Sequence, residues 1–164
     1  MNKSDELLTA RLDRQDEFYF GLSDTLDVKA SLALIVVVFL ADQSGDILSS
    51  PNLPSGLFWL QLIACCGQVL SGVLALAAMW PRDHQCENVA GLEEWTKELQ
   101  ALHNSNDETV LSELVNGIRL RTRERVGVNQ SNCRVKSRLV HSAFLFSAAS
   151  LGLNLLSLLL HARA

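Results

Sequence analysis

The sequence has little of what fixes many small folds covalently or marks them as enzymes. Its 164 residues include 4 cysteines, two of them adjacent as Cys65 and Cys66, so it carries no spaced disulfide framework. There is no glycine-rich phosphate loop, no nucleophile elbow and no carboxylate pair set for acid–base work, so no enzyme activity is expected. Positive charge is in deficit: 14 Lys and Arg against 18 Asp and Glu leave a net charge of −4, which is no signature of a nucleic-acid binder. With 48% hydrophobic and 20% charged residues the totals are close to the globular average, so distribution must decide.

The decisive shortage is local. Charged residues are absent from Leu57 to Trp80 and again from Leu139 to Ala162, 24 residues each with histidine counted neutral, where the average would place one in every five positions. Stretches of that length read as transmembrane helices. A third apolar run, Ala30 to Ala41, is only 12 residues, about 18 Å of helix against a hydrocarbon core about 30 Å thick. Extended over residues 27–48, with Lys29 snorkelling and Ile47 and Leu48 at the far end, it becomes a short span; a re-entrant or interfacial helix is the other reading. The connector Asp42 to Gly56, with Gly45, Pro51 and Pro54, is expected to end that helix.

The first 17 residues hold Lys3, Asp5, Glu6, Arg11, Asp13, Arg14, Asp16 and Glu17, so they lack the apolar centre of a signal peptide. Residues 1–26 instead carry Leu7, Leu8, Leu12, Phe18, Tyr19, Leu22 and Leu26 at amphipathic spacing, with Gly21 as a potential bend. Between the second and third spans, residues 81–138 predict a helical hairpin: Leu92, Trp95, Leu99 and Leu102 on one arm, then a capping box at Ser105 and Glu108, and Val110, Leu111, Leu114, Val115 and Ile118 on the other. The third span, 139–160, is expected to begin near Val135. The fold class is therefore an all-α membrane protein with three transmembrane helices and a cytoplasmic bundle made of the N-terminal helix and the hairpin.

Lys and Arg number four ahead of the apolar run that starts at Ala30 (Lys29 included), none in Asp42 to Gly56, nine in Pro81 to Arg138 and one, Arg163, at the end. By the positive-inside rule the N-terminus and the 81–138 segment lie in the cytoplasm. Within the spans, Gly67, Ser71 and Ala75 repeat every four residues, and Ala148 and Gly152 form a second close-approach pair; such faces serve packing within the chain or a homo-oligomer contact. Gln61 and Gln68 could hydrogen-bond across it. His141, Asn154 and the serines at 142, 147, 150 and 157 should face protein; His141 and Asn154 are candidates for a polar path across the membrane, with packing or interfacial contact the favoured reading.

Arg119, Arg121, Arg123 and Arg125 form the densest basic run and are the candidate contacts for an anionic nucleotide. Contact with anionic lipid headgroups is the other reading, and Arg134, Lys136 and Arg138 are explained by topology alone. His84, Cys86, His103 and Cys133 match no compact zinc module, so no metal is expected.

Asp27-Val-Lys29-Ala30-Ser31 entering the first span, the Trp80-Pro81-Arg82 exit from the second, the helical insertion of roughly fifty residues and Lys136 leading into the third span resemble the Pycsar transmembrane effector family of bacterial anti-phage defence. That resemblance implies a two-gene module: a neighbouring pyrimidine nucleotide cyclase makes cyclic UMP or cyclic CMP, and the effector, seated in the bacterial inner membrane, then impairs that membrane so that the infected cell dies before phage release. A ligand-independent structural or assembly protein, or a holin-like pore former, is the competing reading. The 81–138 segment counts against it, because a minimal pore former has no need of two patterned helices.

Overall fold

The computed structural model describes residues 3–49, 54–80, 89–102 and 107–161, and among them the secondary structure is entirely helical. The elements in chain order are α1 (Lys3–Leu48), α2 (Ser55–Met79), α3 (Val89–Leu102) and α4 (Asp107–His161).

Two helices are much longer than local hydropathy predicts. Helix α1 runs 46 residues without interruption, through Gly21 and past Asp42 and Gly45 to Leu48, the last residue of the 27–48 segment. A glycine costs a helix about 1 kcal/mol relative to alanine, and here inward packing outweighs it: Leu40 and Ser44 on either side of Asp42 are fully buried. Helix α4 is one rod of 55 residues, so the second arm of the expected hairpin and the third span are a single helix, and the start expected near Val135 is corrected to Asp107. Nothing in 107–161 obliges a stop, since it contains no proline and its glycines at 117, 127 and 152 lie within helical turns. The Ser105 capping box falls outside the described residues, as do Pro81, Arg82, His84, Cys86 and His103.

The ends of α2 follow the local sequence. Pro54 sits at the N-cap with φ −58° and ψ 142°, and its carbonyl accepts the amide of Phe58 at 3.0 Å, the first bond of the helix. Trp80 leaves the helix at φ −55° and ψ 128°. It precedes Pro81, whose ring disfavours helical ψ in the residue before it.

The chain divides into two units, Met1–Leu22 with Arg82–Cys133 and Ser23–Pro81 with Arg134–Ala164; two of the three divisions fall inside α1 and α4, and the third lies between α2 and α3. In the first unit α3 buries Leu99 and half-buries Leu92 and Trp95, whereas Leu102 is exposed, so the expected apolar face ends one turn early. Opposite it, Val110 is buried, Leu114, Val115 and Ile118 are half-buried, and Leu111 points outward. Trp95 lies directly on Gly117 of α4, where a Cβ would overlap the indole ring.

The second unit packs α1 from Ser23, α2 and α4 from Arg134, and its buried positions step by three and four. On α2 they are Leu57, Gln61, Ala64, Gln68, Ser71, Ala75 and Ala78; on α4 they are Lys136, Val140, Ala143, Ser147, Ser150, Asn154 and Ser157; on α1 they include Ser23, Leu26, Ala30, Ala33, Leu40 and Ser44. That alternation is the seam of a coiled coil, but most of its occupants are small or polar. The large apolar side chains face outward instead: Ile35, Val38 and Phe39 on α1, Trp59, Ile63, Val69 and Val73 on α2, Leu145, Leu155 and Leu159 on α4 are all more than half exposed. Only 33% and 28% of the most apolar windows of α2 and α4 are buried, and both helices are long and apolar enough to cross a membrane. A core helix of a water-soluble protein would show the opposite polarity, apolar inside. Polar-in and apolar-out is what a hydrocarbon solvent selects.

Candidate functional site: an inward polar seam and a basic helix

Within the second unit the seam contains a connected set of hydrogen bonds. Gln61 Nε2 donates to Asn154 Oδ1 at 2.9 Å, Ser44 Oγ donates to the same oxygen at 3.3 Å, and Gln68 Nε2 donates to Ser44 Oγ at 2.9 Å, so one residue of α4 and two of α2 are tied through α1. The glutamines expected to bond across a packing face therefore do so inside the chain. One layer along, Ser71 Oγ bonds the carbonyl of Ala143 at 2.6 Å and lies 2.7 Å from Ser147 Oγ, which joins α2 to α4. Next to that layer Ala33, Ala75 and Ala143, all fully buried, form the apolar centre of the unit.

The small residues singled out from sequence separate into two groups. Gly67 sits against Ser150 of α4, where a Cβ would collide with the hydroxyl; Ser71 and Ala75 are fully buried in the seam. Ala148 and Gly152 lie on the outer surface of α4, with open space around Gly152. His141 is likewise exposed, whereas Asn154 is buried.

Lys136, which the sequence explains by topology alone, is turned into the protein. It is 4% exposed, points into the seam, donates to Ser23 Oγ at 3.0 Å and reaches both oxygens of Asp27 at 2.9 Å. An ammonium has three protons, and all are placed on acceptors here, which is the condition for burying it. Arg134 and Arg138, by contrast, are exposed. The signal that distinguishes the three is phase: Lys136 is in step with Val140, Ala143 and Ser147, and its basic neighbours are not.

In the first unit the arginine run divides by geometry. Positions 119 and 123 share one side of α4 and 121 and 125 another, because a helix turns about 100° per residue. Arg125 Nε lies 2.8 Å from Asp16 Oδ2, with both side chains largely buried; the N–H is not aimed along that line, so the contact is an ion pair rather than a directed hydrogen bond. Asn129 Nδ2, one turn on, donates to the other Asp16 oxygen at 3.1 Å. The Arg121 guanidinium carbon stands 4.8 Å from the centre of the Trp95 ring, a cation–π contact. Arg123 is exposed and Arg119 half-buried. Cys133, the last of the residues weighed as metal ligands, gives its thiol to the Tyr19 carbonyl at 3.3 Å, and among the described residues no three His, Cys, Asp or Glu side chains are grouped to hold a metal.

No curated protein and no solved structure matches the chain. A family match does exist: residues 14–162 match PycTM, the Pycsar effector protein domain, a stretch that takes in α2 to α4 complete and α1 from Arg14, and with it Asp27, Lys136 and the whole inward seam. The chain belongs to the Pycsar effector family.

Proposed function

We propose that this chain is the membrane effector of a Pycsar defence pair, activated by cyclic UMP or cyclic CMP from its partner cyclase, and that activation impairs the inner membrane and ends in abortive infection. The observation that carries the membrane part is the reversed polarity of the second unit, whose buried positions are mostly Ser, Gln, Asn and Ala and whose exterior is mostly Leu, Ile, Val and Phe. On this reading α1 contributes the first span over 27–48: Leu32, Ile35, Val36, Val38 and Phe39 are exposed on the same apolar exterior while Ala30, Ala33 and Leu40 face in. Three spans, with the basic 81–138 segment inside, place the N-terminus in the cytoplasm.

The first unit then holds the nucleotide, with Arg119, Arg121, Arg123 and Arg125 as its contacts. A single cyclic phosphate meets one pair rather than all four, since the pairs face different sides of α4. Arg121 and Arg125 are the pair already held in place, by Trp95 and by Asp16. A phosphate competes with the Asp16 carboxylate for Arg125, so binding loosens the α1–α4 contact inside the first unit. The chain performs no chemistry on the nucleotide. Self-association through the lipid-facing surface, where Ala148 and Gly152 lie, builds the active assembly.

Calorimetric titration of the detergent-solubilised protein with each cyclic nucleotide tests the reading. Binding of cyclic UMP or cyclic CMP, weakened tenfold or more in Arg121→Ala/Arg125→Ala, is expected (about 1.4 kcal/mol per factor of ten). Unchanged binding in well-folded variants of both arginine pairs would remove α4 as the nucleotide site.

A further inference from the structure

The apolar exterior of the second unit does not have the same height on its three helices. Hydrogen bonds fix their levels: Ser44 of α1 and Gln61 of α2 both donate to Asn154 of α4, and Gln68 of α2 donates to Ser44. At the other end Ser31 Oγ of α1 lies 3.8 Å from Met79 Sδ, so α1 and α2 are level there too. Beyond Asn154 the outer side of α4 continues with Leu155, Leu156 and Leu159, and beyond the Gln61–Gln68 level the outer side of α2 continues with Ile63, Trp59 and Phe58. On α1 the exposed apolar series ends at Ala41, and exposed Asp42 and Gln43 follow it, just before Ser44. The apolar exterior of α1 therefore stops about 10 Å short of that of its neighbours, at one end only.

A carboxylate on the lipid side of a helix is costly in hydrocarbon. Among the described residues Asp42 has no ion-pair or hydrogen-bond partner. A second copy inserted in the same sense offers none either. The exposed basic side chains described in this unit, Lys29, Arg134 and Arg138, all lie at the opposite end, so a copy would bring apolar surface or another Asp42 to this level. The partner that fits an exposed carboxylate beside a primary amide is a phospholipid headgroup bearing an ammonium, which supplies both charge and hydrogen-bond donors.

We propose that α1 holds a sector of thinned bilayer, in which ammonium-bearing headgroups descend along its outer side to Asp42 and Gln43 while the same leaflet reaches the far ends of α2 and α4. Thinning is the ordinary response to a helix shorter than the hydrocarbon thickness. Here one short helix is fixed to two long ones, which confines the thinning to one side of the protein. The thin sector lowers the barrier to lipid and ion passage, so the proposed self-association has only to join such sectors to breach the membrane. The inference rests on the proposal that this unit lies in the bilayer; it does not depend on a nucleotide.

The experiment is spin-label accessibility in the full-length protein, without nucleotide, in nanodiscs of phosphatidylethanolamine and phosphatidylglycerol. The native cysteines are replaced by serine or alanine, and a nitroxide is attached singly at Gln43→Cys, Leu155→Cys or Val38→Cys. Collision with a water-soluble nickel chelate is expected to be about tenfold more frequent at position 43 than at 155, although the two lie at the same level. Low nickel and high oxygen access at both would mean an unbroken hydrocarbon belt and overturn the proposal. Low access of both reagents at 43 would mean cover by protein and overturn it in favour of a second copy. High nickel access at all three positions, 38 included, would instead overturn the membrane reading itself, and this inference with it. A second measurement uses the chain with its cysteines intact: transbilayer movement of a fluorescent phosphatidylethanolamine is expected to be several-fold faster in vesicles carrying it than in vesicles carrying Asp42→Leu/Gln43→Leu. Equal rates in correctly inserted protein would overturn the proposal.

Discussion

Lys136 on α4 and Asp27 on α1, separated by 109 residues in sequence, form a bidentate ion pair in which the ammonium is almost fully buried and the carboxylate is 39% exposed. The lysine is committed to it: its remaining acceptor, Ser23 Oγ, is on α1 one turn before Asp27. Removing the carboxylate leaves a buried cation with a single hydroxyl. Asp27→Ala should therefore destabilise the protein by about 2 kcal/mol, less than the roughly 3–5 kcal/mol for breaking a wholly buried pair, because one partner keeps water. Asp27→Ala/Lys136→Met should recover most of the loss. Unfolding in mixed detergent micelles checks both, and a double variant as unstable as the single one would show that the buried charge is not the cause.

Two glycines of α4 should respond oppositely to the same substitution. Gly117→Ala places a methyl into the Trp95 ring and should cost about 1–3 kcal/mol, since the indole is itself held under Arg121. Gly127→Ala meets nothing within 4 Å and should stabilise the helix by about 0.5–1 kcal/mol. Thermal unfolding of the two variants side by side separates the packing effect from helix propensity. Equal shifts would mean that Trp95 does not sit on Gly117 in solution.

How much of this was legible beforehand depended on the range over which the signal acts. The charge-free stretches at 57–80 and 139–160 mark α2 and the apolar half of α4 because hydropathy is a local sum. The inward register Ser147, Ser150, Asn154, Ser157 was visible as a serine and asparagine series, yet its partners Ser44 and Gln61 are supplied by other helices and could not be read from spacing. Lys136 was misjudged for a different reason: a basic residue just before a span ordinarily sets topology, and only its step with Val140 and Ala143 reveals that it turns inward. The unbroken α4 is not legible in hydropathy, because the change in hydropathy near residue 139 marks a change of surroundings and not of element, and the backbone carries no stop there.

The two groups of small residues should separate by experiment. Gly67→Leu collides with Ser150 inside the chain and should reduce stability and folded yield. Gly152→Leu adds bulk to an outer surface with open space and should leave the monomer fold intact. On the proposed self-association, it should weaken the oligomer by about tenfold or more, roughly 1.4 kcal/mol. Cross-linking in membranes together with detergent unfolding distinguishes the cases, and unchanged oligomerisation in Gly152→Leu and Ala148→Leu would move the contact to another face.

Asp16 should control the arginine pair on its own side of α4. Asp16→Asn removes the competitor for Arg125 while retaining a side chain that Asn129 can still meet. If a phosphate must displace that carboxylate, the variant should bind the activating nucleotide about three- to tenfold more tightly, equivalent to about 0.7–1.4 kcal/mol. Weaker binding in a folded Asp16→Asn protein would indicate that Asp16 orders the site instead of competing for it.

The most direct measurement of the central claim is dye release from bacterial-lipid vesicles carrying the purified, correctly inserted protein, titrated with cyclic UMP, cyclic CMP and cyclic AMP. The account predicts saturable release driven by one pyrimidine nucleotide and none by cyclic AMP. Vesicles that stay sealed at every nucleotide, or leak equally without any, would contradict a ligand-activated membrane effector.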